Sequence, residues 1–172
     1  DLRNAEMIGH SLDISNGLCE VFLLTSDKKE IKLQIFNAMN EDRLWMRLIG
    51  KNGEPVKNIF DRIRLMPDPS TPAAFPSPEP KENLEAGILH FRQILPYQEP
   101  GTYDISKGHP GDKAFSLTVS VSSPLCKTKR INWDGNEEIM GPLEGSLSHD
   151  ALFTGCITLK EGLNADLDKG IP

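Results

Sequence analysis

The stretch that decides the fold class reads Ala114-Phe115-Ser116-Leu117-Thr118-Val119-Ser120-Val121-Ser122-Ser123. Large apolar side chains alternate along it with serine and threonine, almost without error. Successive side chains of a β-strand point to opposite faces of a sheet. The stretch therefore predicts a strand with its apolar face in the core and its hydroxyl face in water, an arrangement typical of antiparallel sheets.

The same period of two recurs in two earlier segments. Residues 30–36 place aliphatic side chains on one face and polar side chains on the other, and residues 43–49 do so with Trp45 on the face shared with Arg47. Residues 18–24 and 153–159 are shorter strand candidates. Turn-forming residues separate these segments, including the Asn52-Gly53 pair that favours a positive φ. We therefore predict an all-β, antiparallel domain.

Three segments depart from this pattern. The apolar residues of 56–66 follow helical spacing, which predicts one short helix. Residues 67–80 contain six prolines in 14 positions and predict a stiff surface loop. The string Pro69-Ser70-Thr71-Pro72 fits a PxxP ligand, but no Arg cluster flanks it, so a connecting loop is the favoured interpretation. Residues 84–95 fit either a helix or a strand.

The string Glu99-Pro100-Gly101-Thr102-Tyr103 has the spacing of the tyrosine corner found in immunoglobulin-like sandwiches. Over about residues 15–123 the chain resembles an immunoglobulin-like or fibronectin-III-like β-sandwich, with structural roles for Gly101 and Tyr103. The resemblance implies strands A, B and C at 18–24, 30–36 and 43–49, and strands E, F and G at 88–95, 102–107 and 114–123. Strands B and F lack paired cysteines. The alternative is an unrelated antiparallel sandwich in which residues 99–103 form a Pro-Gly turn.

This interpretation divides the chain into a sandwich over residues 1–123, with the proline-rich excursion at 67–80, and a C-terminal extension over 124–172. The extension could pair on a sheet edge through 153–159 or begin a second module. Residues 134–172 hold two Lys and eight Asp or Glu, which accounts for the whole net charge of −6. We expect this acidic extension to bind a cation or a basic partner, and its deletion to leave a folded core.

The composition limits the partners. A pI near 5.2 argues against nucleic acid, because phosphate binding needs clustered Lys and Arg. No long apolar run is present, so no membrane span is expected. Cys19, Cys126 and Cys156 lack metal-ligand spacing, and three reduced thiols are favoured over one disulfide with a free thiol. The sequence indicates no compartment.

Two acidic strings put oxygen ligands at alternate positions, as hard cations require. They supply the calcium candidates Asp134, Asn136, Glu138, Asp166 and Asp168. Neither string has an acid at the twelfth position of an EF-hand loop, so ordinary acidic turns are the favoured interpretation. No other cofactor is expected.

No nucleotide-binding, zinc-protease or serine-hydrolase motif occurs, and no catalytic residue can be nominated. We therefore predict a non-enzymatic binding module for a protein or glycan partner, with Trp45 and Trp133 as candidate stacking faces. One alternative is a structural or accessory domain of a larger chain or assembly, which a chain beginning at Asp1 would fit. The other is a hydrolase-type enzyme whose site forms only in three dimensions, around His90, His109 or His149.

Overall fold

The computed structural model describes residues 5–65, 79–83, 87–95, 112–122, 125–130 and 143–162. These ranges form antiparallel strands and contain no helix, and hence none that could cross a bilayer. The strands are β1 (Ala5–Asp13), β2 (Leu18–Thr25), β3 (Glu30–Asn37), β4 (Arg43–Gly50), β5 (Arg62–Leu65), β6 (Glu79–Asn83), β7 (Ile88–Leu95), β8 (Lys113–Val121), β9 (Leu125–Arg130), β10 (Leu143–Leu147) and β11 (Thr154–Gly162).

The described strands belong to two sheets. The large sheet has eight strands in the order β1-β2-β3-β4-β11-β8-β7-β6, and the small sheet has three in the order β5-β10-β9. Strands β1 to β4 follow one another as hairpins, whereas β11 enters between β4 and β8. The strand predicted at 153–159 is therefore interior in the large sheet, rather than at an edge.

Five strands confirm the period-two predictions. The bounds of β2, β3, β4 and β8 agree to within two residues at each end, whereas β11 begins one residue later and ends three residues later than predicted. Residues 88–95, which fitted either a helix or a strand, form β7 because they pair with β8 along their whole length. Five strands were not predicted, namely β1, β5, β6, β9 and β10. Four of these five have a single neighbour among the described strands, so their sequences carry a weaker signal of burial.

The prediction of a short helix at 56–66 is wrong for the described residues 56–65. Buried Asn58 holds this segment in an extended path, since its Nδ2 donates to the carbonyl oxygens of Phe60 at 2.8 Å and Ser148 at 3.0 Å. Beyond it, β5 pairs with β10, which turns Ile63 and Leu65 toward the core. Pairing with β10, some 80 residues later in the chain, outweighs the helical spacing of the apolar residues. Local periodicity contains no information about such distant pairing.

The prediction that the hydroxyl face of β8 lies in water is also wrong. Ser116, Thr118 and Ser120 are 0 %, 3 % and 7 % exposed, while Val119 and Val121 on the opposite face are equally buried. Both faces of β8 are therefore covered. Alternation shows that two faces differ in polarity, but it does not show that the polar face is solvated.

The main hydrophobic cluster draws on both sheets. Leu23, Leu48 and Leu89 come from the large sheet, and Leu65 and Leu147 come from the small sheet. Phe153, just before β11, packs its ring edge-on against Phe60 at a centroid distance of 4.9 Å, a favoured aromatic geometry. The small sheet is thus tied to the large one by apolar contacts.

The described strand order differs from that of an immunoglobulin-type sandwich. In that fold, strands B and C lie in different sheets, whereas β3 and β4, which occupy the predicted B and C positions, are hydrogen-bonded neighbours. Predicted strand F at 102–107, Gly101, Tyr103 and nearly all of the proline-rich excursion lie outside the described residues. Only the all-β antiparallel character of the prediction is confirmed.

Truncation after residue 133 tests the position of β11, whose interior place in the sheet reverses the expectation that this deletion leaves a folded core. The shortened chain lacks β10 and β11, which exposes the facing edges of β4 and β8 and removes Leu147 and Phe153 from the core. We expect the full chain to unfold in one cooperative transition and the shortened chain to lack it, as measured by circular dichroism during urea titration. A truncated chain that kept a cooperative transition at the original midpoint would contradict the assigned strand order.

Candidate functional site

Most residues proposed for metal or ligand binding lie outside the described part of the chain. These are Trp133, the calcium candidates Asp134, Asn136, Glu138, Asp166 and Asp168, and also His109. Among the residues that are described, no group of three His, Cys, Asp or Glu side chains could hold a metal ion. The calcium hypothesis therefore stays a prediction. Of the two candidate stacking residues, Trp45 is described.

Strand β1 forms one edge of the large sheet, and its only described neighbour is β2. Seven of its nine residues are exposed, including Met7, Ile8 and Leu12. Met7 is 56 % exposed and Leu12 is 61 % exposed, so large apolar side chains lie in water along this edge. An edge strand also presents a row of backbone N–H and C=O groups that can pair with another strand.

The pairing of β1 with β2 is regular except at one point. The register shifts between Met7 and Gly9, which makes Ile8 the extra residue of a β-bulge. A bulge bends an edge strand and increases its twist. It divides β1 into a short N-terminal part and a longer part over residues 9–13, which remains in register with β2.

The turn after β1 is held by the side chain of Asp13. Its Oδ1 accepts hydrogen bonds from the backbone N–H and the hydroxyl of Ser15, at 2.9 and 2.7 Å, and its Oδ2 accepts from Asn16 at 2.9 Å. The bonds from Ser15 lower the pKa of Asp13 below its ordinary value, because they stabilise the carboxylate. Gly17 completes the turn with a φ of 72°. The C-terminal end of β1 is therefore ordered before any partner binds.

The opposite edge of the large sheet has a different composition. Strand β6 has five residues, of sequence Glu-Pro-Lys-Glu-Asn. A short strand with charged residues and a proline resists pairing with another chain. Strand β1 is longer and contains neither proline nor lysine. The two edges of one sheet thus differ in how well they are protected from strand addition.

Trp45 lies on β4 at the boundary between an open and a covered part of the large sheet. Its partner in register on β3 is Phe36, which is 42 % exposed, and its partner on β11 is Cys156, which is buried. The indole itself is half-buried. Trp45 and Phe36 together form a small aromatic surface next to the β3–β4 turn, where the side chain of Met39 is almost fully exposed.

A row of polar side chains crosses β2, β3 and β4 beside this surface. Gln34 Nε2 donates to Glu20 Oε1 at 2.8 Å, and Arg47 Nε donates to Gln34 Oε1 at 2.8 Å. Lys32 Nζ lies 3.4 Å from Glu20 Oε2. The hydrogen bond from Gln34, with the nearby charge of Lys32, lowers the pKa of Glu20.

The described histidines occupy three different environments. His10 is exposed on β1, and buried His90 on β7 has Nδ1 3.4 Å from the Thr118 hydroxyl. His149 Nε2 lies 2.9 Å from Asp61 Oδ1 in an exposed turn. Within the described residues the His149 ring has no hydrogen bond to a Ser, Thr or Cys side chain.

The cysteines are all described and all free. Cys126 is exposed, Cys19 is half-buried and Cys156 is buried. Cys156 and His90 lie on strands separated by β8, so their backbones are at least two strand spacings apart, about 9.5 Å. At this separation the thiol of Cys156 and the imidazole of His90 are not in the direct contact that activates a catalytic cysteine. The prediction of free thiols is consistent with this arrangement.

A comparison with models of known protein families and with curated proteins found no match.

The strand that forms the candidate site was missed by the sequence analysis. Its apolar residues Met7, Ile8 and Leu12 do not alternate regularly, because the bulge at Ile8 interrupts the period of two. The available signal was the turn that follows, since Asp13, Asn16 and Gly17 together are typical of a hairpin connection. A hairpin turn before β2 would have indicated a preceding strand.

Substitution of Gln34 by Leu tests the polar row. We expect the pKa of Glu20 to rise toward its ordinary value of 4.5, because the donor that stabilises the carboxylate is removed. A lowered folded-state pKa adds stability above about pH 4.5, and this stability is lost as the pH falls through the lowered pKa. Gln34→Leu should therefore lose less stability on acidification. The carboxyl titration is measured by NMR and the stability by urea unfolding across that range.

Lys51→Met is the control, because it removes the 2.9 Å ion pair with Glu30 and leaves Glu20 and its partners in place. It should leave the titration of Glu20 unchanged. An equal rise of the Glu20 pKa in both variants, or no rise in Gln34→Leu, would show that Gln34 does not stabilise this carboxylate.

Proposed function

We propose that this chain is a binding module that recognises a partner protein by adding one of the partner's strands to the β1 edge of the large sheet. The observation that carries the proposal is the exposed apolar character of β1 at a sheet edge. In strand addition, main-chain hydrogen bonds supply affinity and alternate side chains supply specificity. Strand β1 offers both, with Met7 and Leu12 as the apolar contacts.

The register of β1 favours a foreign strand over a second copy of this chain. With two antiparallel copies of β1 in full overlap, Met7 would face Ser11 and Leu12 would face Glu6. A shift of one residue sets Met7 against Leu12, but it also sets Glu6 against Asp13. Like charges directly opposite one another destabilise a pair of strands. Neither register places apolar residues opposite one another while also keeping the acidic residues apart.

The chemistry of β1 defines the partner strand that would fit best. Apolar residues opposite Met7 and Leu12 would bury exposed side chains, at about 25 cal/mol for each Å² of apolar surface removed from water. A Lys or Arg opposite Glu6 would add a favourable cross-strand pair. We therefore propose a partner segment that is extended, apolar at these positions and basic near one end.

A rigid scaffold supports such recognition. We propose that the large and small sheets are the two layers of a β-sandwich, because Leu65 and Leu147 of the small sheet share one apolar cluster with Leu23, Leu48 and Leu89 of the large sheet. The proposed similarity to immunoglobulin-like sandwiches is limited to this two-layer architecture and does not extend to the strand order. The alternative of an accessory domain in a larger assembly is compatible with the same edge, since strand addition also joins domains.

A displayed library of random 12-residue peptides tests the proposal directly. Selected peptides should contain apolar residues at alternate positions and should slow amide hydrogen exchange within β1. Met7→Lys with Leu12→Lys should weaken their binding by about tenfold or more, because lysine protects an edge strand from pairing. The unfolding midpoint should change little, since both side chains are already exposed.

Ile14→Lys is the matched control for the library experiment. Ile14 is 91 % exposed and apolar, but it lies in the turn after β1 and outside the strand. It should leave peptide binding unchanged. Equal losses in both variants would indicate unspecific apolar adhesion, and selected peptides that protect amides elsewhere would refute the β1 edge as the site.

A glycan is the second candidate partner, and the pairing of Trp45 with Phe36 is the observation that favours it. Aromatic rings beside a carboxylate, an amide and a guanidinium combine apolar faces for sugar rings with donors and acceptors for hydroxyl groups. Glu20, Gln34 and Arg47 supply these polar groups in one hydrogen-bonded row. This candidate uses a sheet face and leaves the β1 edge unoccupied.

Intrinsic tryptophan fluorescence during titration with arrayed oligosaccharides tests the glycan candidate. A ligand that stacks on Trp45 should shift its emission, and Phe36→Ala should weaken binding by about fivefold, which corresponds to the roughly 1 kcal/mol of an aromatic contact. Met39→Ala, at an exposed position in the neighbouring turn, should not. Absence of any emission change across the array would remove this candidate.

A further inference from the structure

The small sheet gathers positive charge from three distant parts of the sequence. Strands β5, β9 and β10 contain five Lys or Arg residues and one Glu, a formal charge of +4. The rest of the chain, with 14 Lys or Arg and 24 Asp or Glu, carries −10. A count along the sequence assigned the charge imbalance to the C-terminal extension alone. Strand pairing creates a basic sheet within an acidic protein.

Two of these cations are held in place by a buried carboxylate. Glu144 on β10 is buried, and its Oε2 accepts hydrogen bonds from Arg62 Nη1 at 3.0 Å and from Arg64 Nε at 2.7 Å. Both arginines lie on β5, with their side chains 20 % and 43 % exposed. The guanidinium of Arg64 is held through its Nε, and a planar guanidinium fixed in this way keeps its other N–H groups oriented for a second acceptor.

The third strand places further cations at matching positions. In the β9–β10 register, Lys129 is the partner of Glu144 and Lys127 is the partner of Ser146. In the β5–β10 register, the same two β10 residues are the partners of Arg64 and Arg62. Each of these two rows therefore has a basic residue on both outer strands, with Glu144 or Ser146 between them on β10. They are about 6.8 Å apart along the strands, which is the repeat of alternate residues in any β-strand.

We propose that the small sheet binds an extended acidic polypeptide segment. Carboxylates at alternate positions of an extended peptide recur at the same spacing of about 6.8 Å as the basic rows. Strands β5 and β9 are both edges of the small sheet among the described strands, so such a segment can also pair through its backbone. Arginine binds carboxylates strongly through charge-assisted hydrogen bonds, and the bonds from Arg62 and Arg64 to Glu144 are of this kind. This site is separate from the β1 edge and does not depend on it.

A labelled peptide of four Glu-Thr repeats is the probe, and fluorescence anisotropy with the full chain is the measurement. The peptide should bind, its affinity should fall as salt is raised from 50 to 300 mM, and a Gln-Thr peptide of the same length should bind at least about tenfold more weakly. Lys127→Gln with Lys129→Gln should weaken the binding of the Glu-Thr peptide by about tenfold, and this variant retains Arg62, Arg64 and Glu144.

Lys29→Gln with Lys51→Gln is the control of equal charge, because both lysines are exposed and belong to the large-sheet hairpins. It should have little effect. An equal loss in the control would show attraction to the protein's overall charge and would overturn the site. A sulfated octasaccharide that bound the β9 lysines as tightly as the peptide would overturn the choice of a polypeptide ligand. Failure of the peptide to bind at 50 mM salt would refute the proposal.

Discussion

The large sheet depends on the backbone hydrogen bonds of β11. This strand pairs with β4 from Thr154 to Thr158 and with β8 from Gly155 to Gly162, so it joins the hairpins β1–β4 to the strands β8, β7 and β6. A Cβ at Gly155 would lie 3.1 Å from Met46 Cε, so the side chain of Met46 would have to shift slightly to admit a larger residue there. Without β11, two interior strands would have unpaired backbone groups, whose burial costs free energy unless they find partners.

The position of β11 also determines which surfaces remain open. Since β11 completes the middle of the sheet, the outermost of the described strands are β1 and β6. Only β6 has the short length, charges and proline that discourage pairing. The small sheet, assembled from β5, β9 and β10, gathers basic residues in a chain of net charge −6. The apolar edge and the basic sheet are therefore two chemically different surfaces, and each is proposed to bind its own partner.

The strength of the sequence signal followed the burial of each strand. Residues 114–123 and 30–36 were recognised because one of their faces is apolar throughout. Strand β1 has few buried side chains and a bulge at Ile8, so its hydrophobic period is irregular. Arg62, Arg64 and Glu144 show the same limit for the basic sheet. The two arginines lie some 80 residues before Glu144 in the chain, and no local pattern relates them to it.

The sequence by itself determined that the chain forms antiparallel strands, where several of those strands lie, and that it lacks familiar catalytic motifs. The period of two is a local property, because side chains alternate within each strand. Tertiary structure alone decided that β11 is central, that residues 62–65 are a strand, that Ser116 and Thr118 are buried, and which edge stays open. Those outcomes depend on hydrogen bonds and contacts between segments far apart in the chain, which neither spacing nor composition encodes.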